Sequence, residues 1–124
     1  MKPKIVVVDD DADMGRAMER LLNGSGFRPV TFASGEALLA SADIADAACM
    51  ILDIHLPGLS GFETCRRLRE GGIRVPVIFI TAYGEERSEN RAREAGAVAY
   101  FTKPFERRHL LGAIATALRQ EVTA

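Results

Sequence analysis

Four consecutive apolar residues stand directly before three carboxylates in the stretch Ile5-Val6-Val7-Val8-Asp9-Asp10-Asp11. An apolar run this short is typical of a buried strand, and strands that are apolar along their whole length occur in parallel sheets. In an open parallel sheet, the functional crevice lies outside the carboxyl ends of the strands. The stretch therefore predicts a buried strand that ends with acidic side chains at such a crevice.

Apolar runs of similar length recur along the chain, and helical patterns fill the intervals between them. The runs are Ile5–Val8, Pro29–Phe32, Cys49–Leu52, Val75–Ile80 and Val98–Phe101. Strands that alternate with helices predict parallel pairing with right-handed crossovers. We therefore expect an α/β fold, a flavodoxin-like doubly wound sheet of five parallel strands in the order 2-1-3-4-5, flanked by five helices.

The helices are predicted from apolar spacing and from end signals. The segment 14–22 carries apolar residues at the i, i+3, i+4, i+7 and i+8 positions of one helix face. Ser60 precedes Glu63 by three residues, the spacing of a capping box at a helix start. The last helix has one apolar face, formed by Leu110, Ile114 and Leu118. A weaker helix is expected from about Ala37 to Ala42.

A fourth helical segment, from Glu85 to Ala95, differs from the others in its composition. Its only apolar residues are Ala92 and Ala95, so the helix can bury little surface. A helix that buries little surface is held loosely and is free to move.

Length and composition exclude several classes of protein. The 124 residues, 48% hydrophobic and 27% charged, are ordinary for one globular domain, and we expect residues 1–124 to form a single domain. No apolar run approaches the ~20 residues of a membrane helix, and the run after Lys4 is too short for a signal peptide. A net charge of −1 offers no electrostatic surface for nucleic acid. The sequence thus predicts a cytoplasmic domain that binds neither a membrane nor nucleic acid directly.

Three further polar residues, Asp53, Thr81 and Lys103, stand at the ends of other apolar stretches. Because the carboxyl ends of parallel strands meet at one edge, these side chains are expected beside the acidic run of residues 9–11. Hard cations take oxygen ligands, and carboxylates without a cation would repel one another. The pattern therefore predicts a pocket for a divalent cation.

In these residues and in their order, the sequence resembles the receiver domains of bacterial two-component response regulators over nearly its whole length. The similar features are Asp9-Asp10 after the first strand, Asp53 in the stretch Ile51-Leu52-Asp53-Ile54-His55-Leu56-Pro57-Gly58, Thr81-Ala82, and Lys103-Pro104. Each feature alone is weak, but four in order at strand ends form a specific signature. The CheY-like version of the flavodoxin-like fold is the fold that the resemblance implies.

The resemblance implies a role for each of these positions. Asp53 is expected to accept a phosphoryl group from a histidine kinase or phosphotransfer protein, while Thr81 and Lys103 engage the bound group. The family's domains are phosphoacceptors with weak autophosphorylation and autodephosphorylation activity rather than enzymes. Tyr100 is similar to the family's switch aromatic, so the surface of helix 4, strand 5 and helix 5 is expected to change on phosphorylation. The resemblance also implies a cis peptide bond before Pro104.

The chemistry of the carboxylates is compatible with Mg²⁺, which requires near-octahedral oxygen geometry and retains several waters. Asp10 and Asp53 as direct ligands, the backbone carbonyl of His55, and Asp9 through a water would suffice. The alternative is that Asp9 to Asp11 only cap the following helix, where aspartate is favoured. Capping leaves Asp53 and Lys103 unexplained, but capping or solvent exposure is the better account of Asp11.

Other readings of the same residues are possible. Thr81 can be explained by strand propensity alone, and Lys103 by an ordinary solvated surface charge. Tyr100 can be explained as an amphipathic tyrosine at a strand edge. A haloacid-dehalogenase-type phosphatase would need a second aspartate where His55 stands. A flavodoxin-like cofactor binder would need a phosphate loop rich in Ser, Thr and Gly. The remaining alternative is a phosphorylation-independent pseudo-receiver that serves as an interaction module.

Two ring-bearing residues, His55 and Tyr83, stand two positions after Asp53 and Thr81. The resemblance implies that these positions border the path of the water that hydrolyses an aspartyl phosphate. We expect their bulk to obstruct that water, although His55 could act instead as a base, because a neutral imidazole can accept a proton. The domain is expected to be either a stand-alone regulator or the receiver of a larger one. Its expected partners are an output domain or target protein and, in a phosphorylation-dependent homodimer, a second copy of itself.

Overall fold

A computed structural model describes residues 2–41 and 44–123 of the chain, in which strands and helices alternate. The strands are β1 Lys4–Val8, β2 Arg28–Phe32, β3 Cys49–Asp53, β4 Val77–Thr81 and β5 Ala99–Thr102. The helices are α1 Ala12–Gly24, α2 Gly35–Ala40, α3 Gly61–Glu70, α4 Glu86–Glu94 and α5 Arg107–Thr123.

The five strands form one sheet in the order β2-β1-β3-β4-β5, and every neighbouring pair is parallel, which confirms the predicted fold class and strand order. The register aligns the carboxyl ends of the strands. Val8 lies opposite Leu52, and Thr81 lies opposite Thr102. The residues that follow these positions therefore meet at one edge of the sheet.

Alternate residues of β1 point into two separate layers of the core, as the two-residue repeat of a strand requires. Ile5 and Val7 face α1 and α5, where they join Met18, Leu22, Leu110 and Ile114. Val6 and Val8 face α2, α3 and α4, where they join Leu38, Phe62, Leu68 and Ala92. Because both faces of the sheet are covered, the central strands β1, β3 and β4 are buried along their whole length and are mostly apolar. This is why the short apolar runs predicted them.

Most element ends lie within one residue of their predicted positions, but two elements begin two residues away from the predicted start, each for an identifiable reason. Helix α2 begins at Gly35 rather than near Ala37, because the Ser34 hydroxyl accepts the Ala37 N–H at 3.0 Å and caps the helix earlier. Ala42, the predicted end of that helix, lies outside the described residues. Strand β4 begins at Val77 rather than Val75, because Pro76 has no N–H for the ladder and contributes only its carbonyl, which accepts from Met50.

Helix α4 buries a single residue, Ala92, as its composition predicted. Polar contacts with α3 hold its C-terminal half instead. The Arg91 guanidinium lies 4.3 Å from the centre of the Phe62 ring, and the Arg69 guanidinium donates to the carbonyl of Ala95. At the other end, the N-cap residue Glu85 makes no side-chain capping bond.

A membrane-spanning segment is not found among residues 2–41 and 44–123, where every helix is too short or too polar to cross a bilayer.

Candidate functional site

Three carboxylates converge at the carboxyl edge of the sheet. Asp9 follows β1 and Asp53 ends β3, while Asp10 precedes α1, and their ligand oxygens all lie within 4.8 Å of one another. The side chains of Asp9 and Asp53 are only 1% and 6% exposed, whereas Asp10 faces solvent. The parallel topology thus assembles the acidic pocket that the sequence predicted.

The ammonium of Lys103 bridges the two buried carboxylates. Its Nζ lies 2.8 Å from Oδ2 of Asp9 and 2.9 Å from Oδ2 of Asp53. Burial lowers the pKa of Lys103, but the hydrogen bonds and charges of the two aspartates outweigh burial and hold that pKa above its ordinary value. Burial also raises the pKa of Asp9, and the hydrogen bond from Lys103 reduces this rise without reversing it. The lysine is therefore a firmly charged cation inside the site.

Backbone N–H groups hold the second oxygen of each buried carboxylate. Asp11 donates to Oδ1 of Asp9 at 2.9 Å, and His55 donates to Oδ1 of Asp53 at 2.9 Å. Each carboxylate is thus bonded by the residue two positions further along the chain, the pattern of an Asx turn. These bonds fix the orientation of both carboxylates. In the sequence, such turns are indicated by the short loop that follows each of the two strands.

The donor set fits a hard divalent cation. The site holds three carboxyl groups but one ammonium, which contacts two of them. It therefore has an excess of oxygen donors over positive charge, and Mg²⁺ prefers such oxygen ligands. The His55 N–H donates to Oδ1 of Asp53, so the backbone of residue 55 lies beside that carboxylate.

Capping accounts for Asp11 but not for Asp9. The Asp11 carboxylate accepts from the N–H groups of Asp13 at 3.0 Å and Met14 at 3.4 Å, so it is the N-cap of α1. This confirms the role predicted for Asp11. Asp9 instead points to Lys103, which excludes the reading in which the whole acidic run serves only as a cap.

Thr81, at the end of β4, is fully buried beside the site. Its hydroxyl accepts the Tyr83 N–H at 3.1 Å and donates to the Tyr83 carbonyl at 3.4 Å. Its own carbonyl accepts the Lys103 N–H at 2.7 Å, and the peptide bond between Lys103 and Pro104 is cis, the isomer that the resemblance implies. In this state the Thr81 hydroxyl is engaged by the loop before α4.

Tyr100, on β5, is half-buried against the core layer of α2, α3 and α4. Its hydroxyl accepts the Glu85 N–H at 3.4 Å. The hydroxyls of Thr81 and Tyr100 therefore hold the two ends of one short segment, residues 83–85. The sequence indicated both residues, but it gave no sign that they share this loop.

His55 and Tyr83 meet edge to face, with ring centres 5.4 Å apart and ring planes at 83°. They belong to different loops, after β3 and after β4, and Tyr83 is 65% exposed. The sequence predicted that both rings border the site, whereas their mutual contact is found only in the structure.

Gly61 also shapes the site, although the sequence pattern did not indicate this role. It begins α3 directly beneath the site, and a Cβ at this position would overlap the Asp53 carbonyl oxygen. The absence of a side chain at residue 61 lets α3 approach the end of β3. The available signal was the glycine beside the predicted cap, Ser60.

The chain resembles known proteins over most of its length. The family model of the response regulator receiver domain matches residues 5–115. The response regulator protein TmoT of Ectopseudomonas mendocina is 40% identical over 115 residues, which cover 93% of this chain and 52% of that protein. Nodulation protein W of Bradyrhizobium diazoefficiens is 36% identical over 120 residues, which cover 97% and 53%. The chain spans about half the length of these curated relatives.

Solved structures share the fold. The BeF3-activated receiver domain of DrrB superposes with a TM-score of 0.85 and 34% identity, covering 96% of this chain and 99% of that one. A CheY-like receiver domain protein from Methanospirillum hungatei gives a TM-score of 0.89 and 25% identity, covering 99% and 98%. Domains of this kind work in signalling rather than as classical enzymes. From the family match and the identity to TmoT, the chain belongs to the response regulator receiver domains of bacterial two-component systems.

Proposed function

We propose that Asp53 accepts a phosphoryl group from the phosphohistidine of a histidine kinase or phosphotransfer protein. The observation that carries this proposal is the pairing of the buried Asp53 carboxylate with Lys103, next to Asp9, at the carboxyl edge of the sheet. A carboxylate held in a fixed orientation, with a cation beside it, is suited to attack on a phosphoryl group.

In the transfer step, a carboxylate oxygen of Asp53 forms a bond to phosphorus while the bond from phosphorus to the donor imidazole nitrogen breaks. The electron pair of the broken bond stays on the imidazole. Lys103 is bonded to Oδ2 of Asp53 and is placed to follow the charge onto a phosphoryl oxygen. The His55 N–H keeps the carboxylate plane fixed during attack.

Asp9, Asp10, Asp53 and the backbone carbonyl of His55 would hold Mg²⁺. When bound, Mg²⁺ supplies the positive charge that offsets repulsion between the carboxylate and the incoming phosphoryl oxygens. With a small phosphodonor in place of the kinase, the same residues would support weak autophosphorylation, and with water as acceptor, weak autodephosphorylation.

The signal would leave the site through the segment 83–85. If the Thr81 hydroxyl turns to a phosphoryl oxygen, it must give up its bonds to Tyr83, and that change reaches the N-terminus of α4. Tyr100 holds the same segment at Glu85 and would be released with it. We propose the surface of α4, β5 and α5 as the output surface, since α4 buries only Ala92.

Phosphorylation with a small phosphodonor and Mg²⁺ tests the proposal directly. The wild type is expected to take up acid-labile, hydroxylamine-sensitive phosphate on Asp53, and Asp53→Asn is expected to take up none. Asp10→Ala should retain the acceptor but react much more slowly. Uptake by Asp53→Asn at the wild-type level would remove Asp53 from this role, and no uptake by the wild type would favour a pseudo-receiver.

The wider setting belongs to the same proposal. Because the chain spans about half the length of TmoT and Nodulation protein W, an output domain in a longer protein is one possible setting, and a stand-alone receiver is the other. Partners of the receiver would be a histidine kinase or phosphotransfer protein, a target of the output surface, and a second phosphorylated copy. We place this activity in the cytoplasm.

A further inference from the structure

A carboxylate of α2 holds the loop between β3 and α3, residues 54–60, from outside the site. Oε2 of Glu36, the second residue of α2, lies 3.1 Å from the backbone nitrogen of Leu59, which donates to it. Leu59 belongs to the tip of the loop that begins beside Asp53. An exposed glutamate on a short helix gave no sign of this contact in the sequence.

Gly58 provides the space for this contact. Its φ is +75°, a conformation that favours glycine, and a Cβ at Gly58 would overlap Oε2 of Glu36. The carboxylate thus occupies the room that the missing side chain leaves. The Glu36 carboxylate therefore contacts two adjacent residues of the loop tip, Gly58 through close packing and Leu59 through a hydrogen bond.

The helix that carries Glu36 is itself fixed against α3. A Cβ at Gly35 would overlap Oγ1 of Thr64, so the start of α2 rests directly on the first turns of α3. The Thr64 hydroxyl donates to the carbonyl of Ser60 at 2.8 Å, and Ser60 caps α3. Glu36 therefore projects from a support that is anchored beside the loop it holds.

The other part of the loop is bonded to the site. The His55 N–H donates to Oδ1 of Asp53, and the Gly61 N–H closes the arc by donating to the carbonyl of Ile54 at 3.0 Å. The loop is thus a short arc with its base at the acceptor carboxylate and its tip at Glu36. A displacement of the tip would have to be absorbed within this arc, in which His55 lies only four residues before Leu59.

From these contacts we infer that Glu36 is a positioning residue for the metal site, which holds the loop that carries the His55 carbonyl. The inference rests on the proposed metal ligands. Mg²⁺ requires near-ideal octahedral geometry, so it is sensitive to small shifts of a ligand. Partners that hydrogen-bond directly to a metal ligand typically change metal affinity about 10- to 100-fold when they are replaced, and Glu36 acts one step further out, on the backbone of the loop.

The test compares MgCl2 binding to the full chain by NMR titration, together with hydrogen exchange of the Leu59 amide. Glu36→Ala is expected to weaken Mg²⁺ binding about tenfold, the lower end of that range, and to accelerate exchange at Leu59. Glu36→Gln retains an acceptor oxygen at the same reach, so it is expected to bind Mg²⁺ nearly as the wild type does and to keep Leu59 protected.

Glu94→Ala, which removes an exposed carboxylate at the far end of α4, is the control for the loss of charge and should leave affinity unchanged. Exchange of the β1 amides reports whether the sheet stays folded in each variant. Unchanged Mg²⁺ affinity in Glu36→Ala would overturn the inference. Equal losses of affinity in Glu36→Ala and Glu36→Gln would also overturn it, because they would show that the charge of Glu36 matters and not its hydrogen bond to Leu59. If the wild type binds no Mg²⁺, the proposed metal site is wrong and the inference falls with it, whereas wild-type binding with an unaffected Glu36→Ala rejects only the inference.

Discussion

The ammonium of Lys103 lies 2.9 Å from Oδ2 of Asp53, so the proposed phosphoryl acceptor is already paired with a cation before any phosphoryl group arrives. The same nitrogen lies 2.8 Å from Oδ2 of Asp9. A divalent cation bound among the three carboxylates would share two carboxylate groups, those of Asp9 and Asp53, with Lys103. Lysine and metal ion are therefore expected to oppose each other in binding.

Replacing Lys103 with methionine is expected to strengthen Mg²⁺ binding on the order of tenfold, because a cation that repels the metal ion and occupies its ligands is removed. An MgCl2 titration followed by NMR or calorimetry measures the change. Lys2→Met removes one exposed positive charge and serves as the control for net charge. Equal or weaker affinity in Lys103→Met would show that lysine and metal do not compete.

Occupation of the site by beryllofluoride is expected to accelerate amide exchange at Tyr83 and Glu85. These two N–H groups are bonded to the hydroxyls of Thr81 and Tyr100, and both hydroxyls are expected to leave them in the activated state. Exchange across residues 81–100, measured with and without beryllofluoride, tests this expectation. Unchanged protection in that segment, or a response confined to α1, would contradict the output route.

Removing the hydroxyl of Tyr100 should loosen the same segment without any ligand. Tyr100→Phe keeps the ring in its place but removes the acceptor for the Glu85 N–H, at a cost of about 0.5–1 kcal/mol in unfolding free energy. Urea unfolding gives the cost, and faster exchange at Glu85 locates it. Since Tyr83 is bonded to Thr81 instead, its amide should keep its wild-type protection, and a general loss of protection would point to a packing defect.

The ring contact between His55 and Tyr83 is expected to prolong the phosphorylated state by obstructing water. The double variant His55→Asn, Tyr83→Glu replaces the rings with smaller polar groups that can orient a water for in-line attack. Its phosphate should be lost faster than that of the wild type at pH 7, measured as decay of acid-labile phosphate. Slower loss in the double variant would instead favour His55 as a catalytic base.

Stability should depend on pH through an ion pair far from the site. Nζ of Lys4, whose side chain is 3% exposed, lies 2.8 Å from Oδ1 of Asp46, and this hydrogen bond holds the pKa of Asp46 below its ordinary value of 3.8. A lowered folded-state pKa means that the carboxylate contributes stability above the unfolded value and loses it as the pH falls through the folded one.

Asp46→Asn is therefore expected to be less stable than the wild type at neutral pH, with a difference that shrinks as the pH falls below 3.8. Urea unfolding of both proteins over the acidic range measures this difference. In a Lys4→Met background the pH dependence of the difference should become much smaller, because Lys4 makes the largest contribution to the lowered pKa of Asp46. An undiminished pH dependence there would assign the effect to a partner other than Lys4.

Several features of the candidate site followed from local sequence. Asp11 is recognisable as a helix cap because an aspartate before an amphipathic stripe has few other roles. Asp9, Asp53 and Lys103 could be brought together on paper because each follows a buried strand, and parallel strands end at one edge. These inferences depend only on the order of residues along the chain and on the topology.

The fold itself was determined by the sequence: short apolar runs alternating with amphipathic helices require a parallel sheet covered on both faces, and the order β2-β1-β3-β4-β5 is as predicted. Only the tertiary structure decided that Lys103 bridges Asp9 and Asp53, and that Glu36 supports the loop at Leu59. Such contacts join segments distant in the chain, and they depend on side-chain rotamers and on how closely neighbouring elements approach. The local sequence around an exposed glutamate or a buried hydroxyl does not specify which group it will bond. That partner is determined by how the elements pack in the tertiary structure.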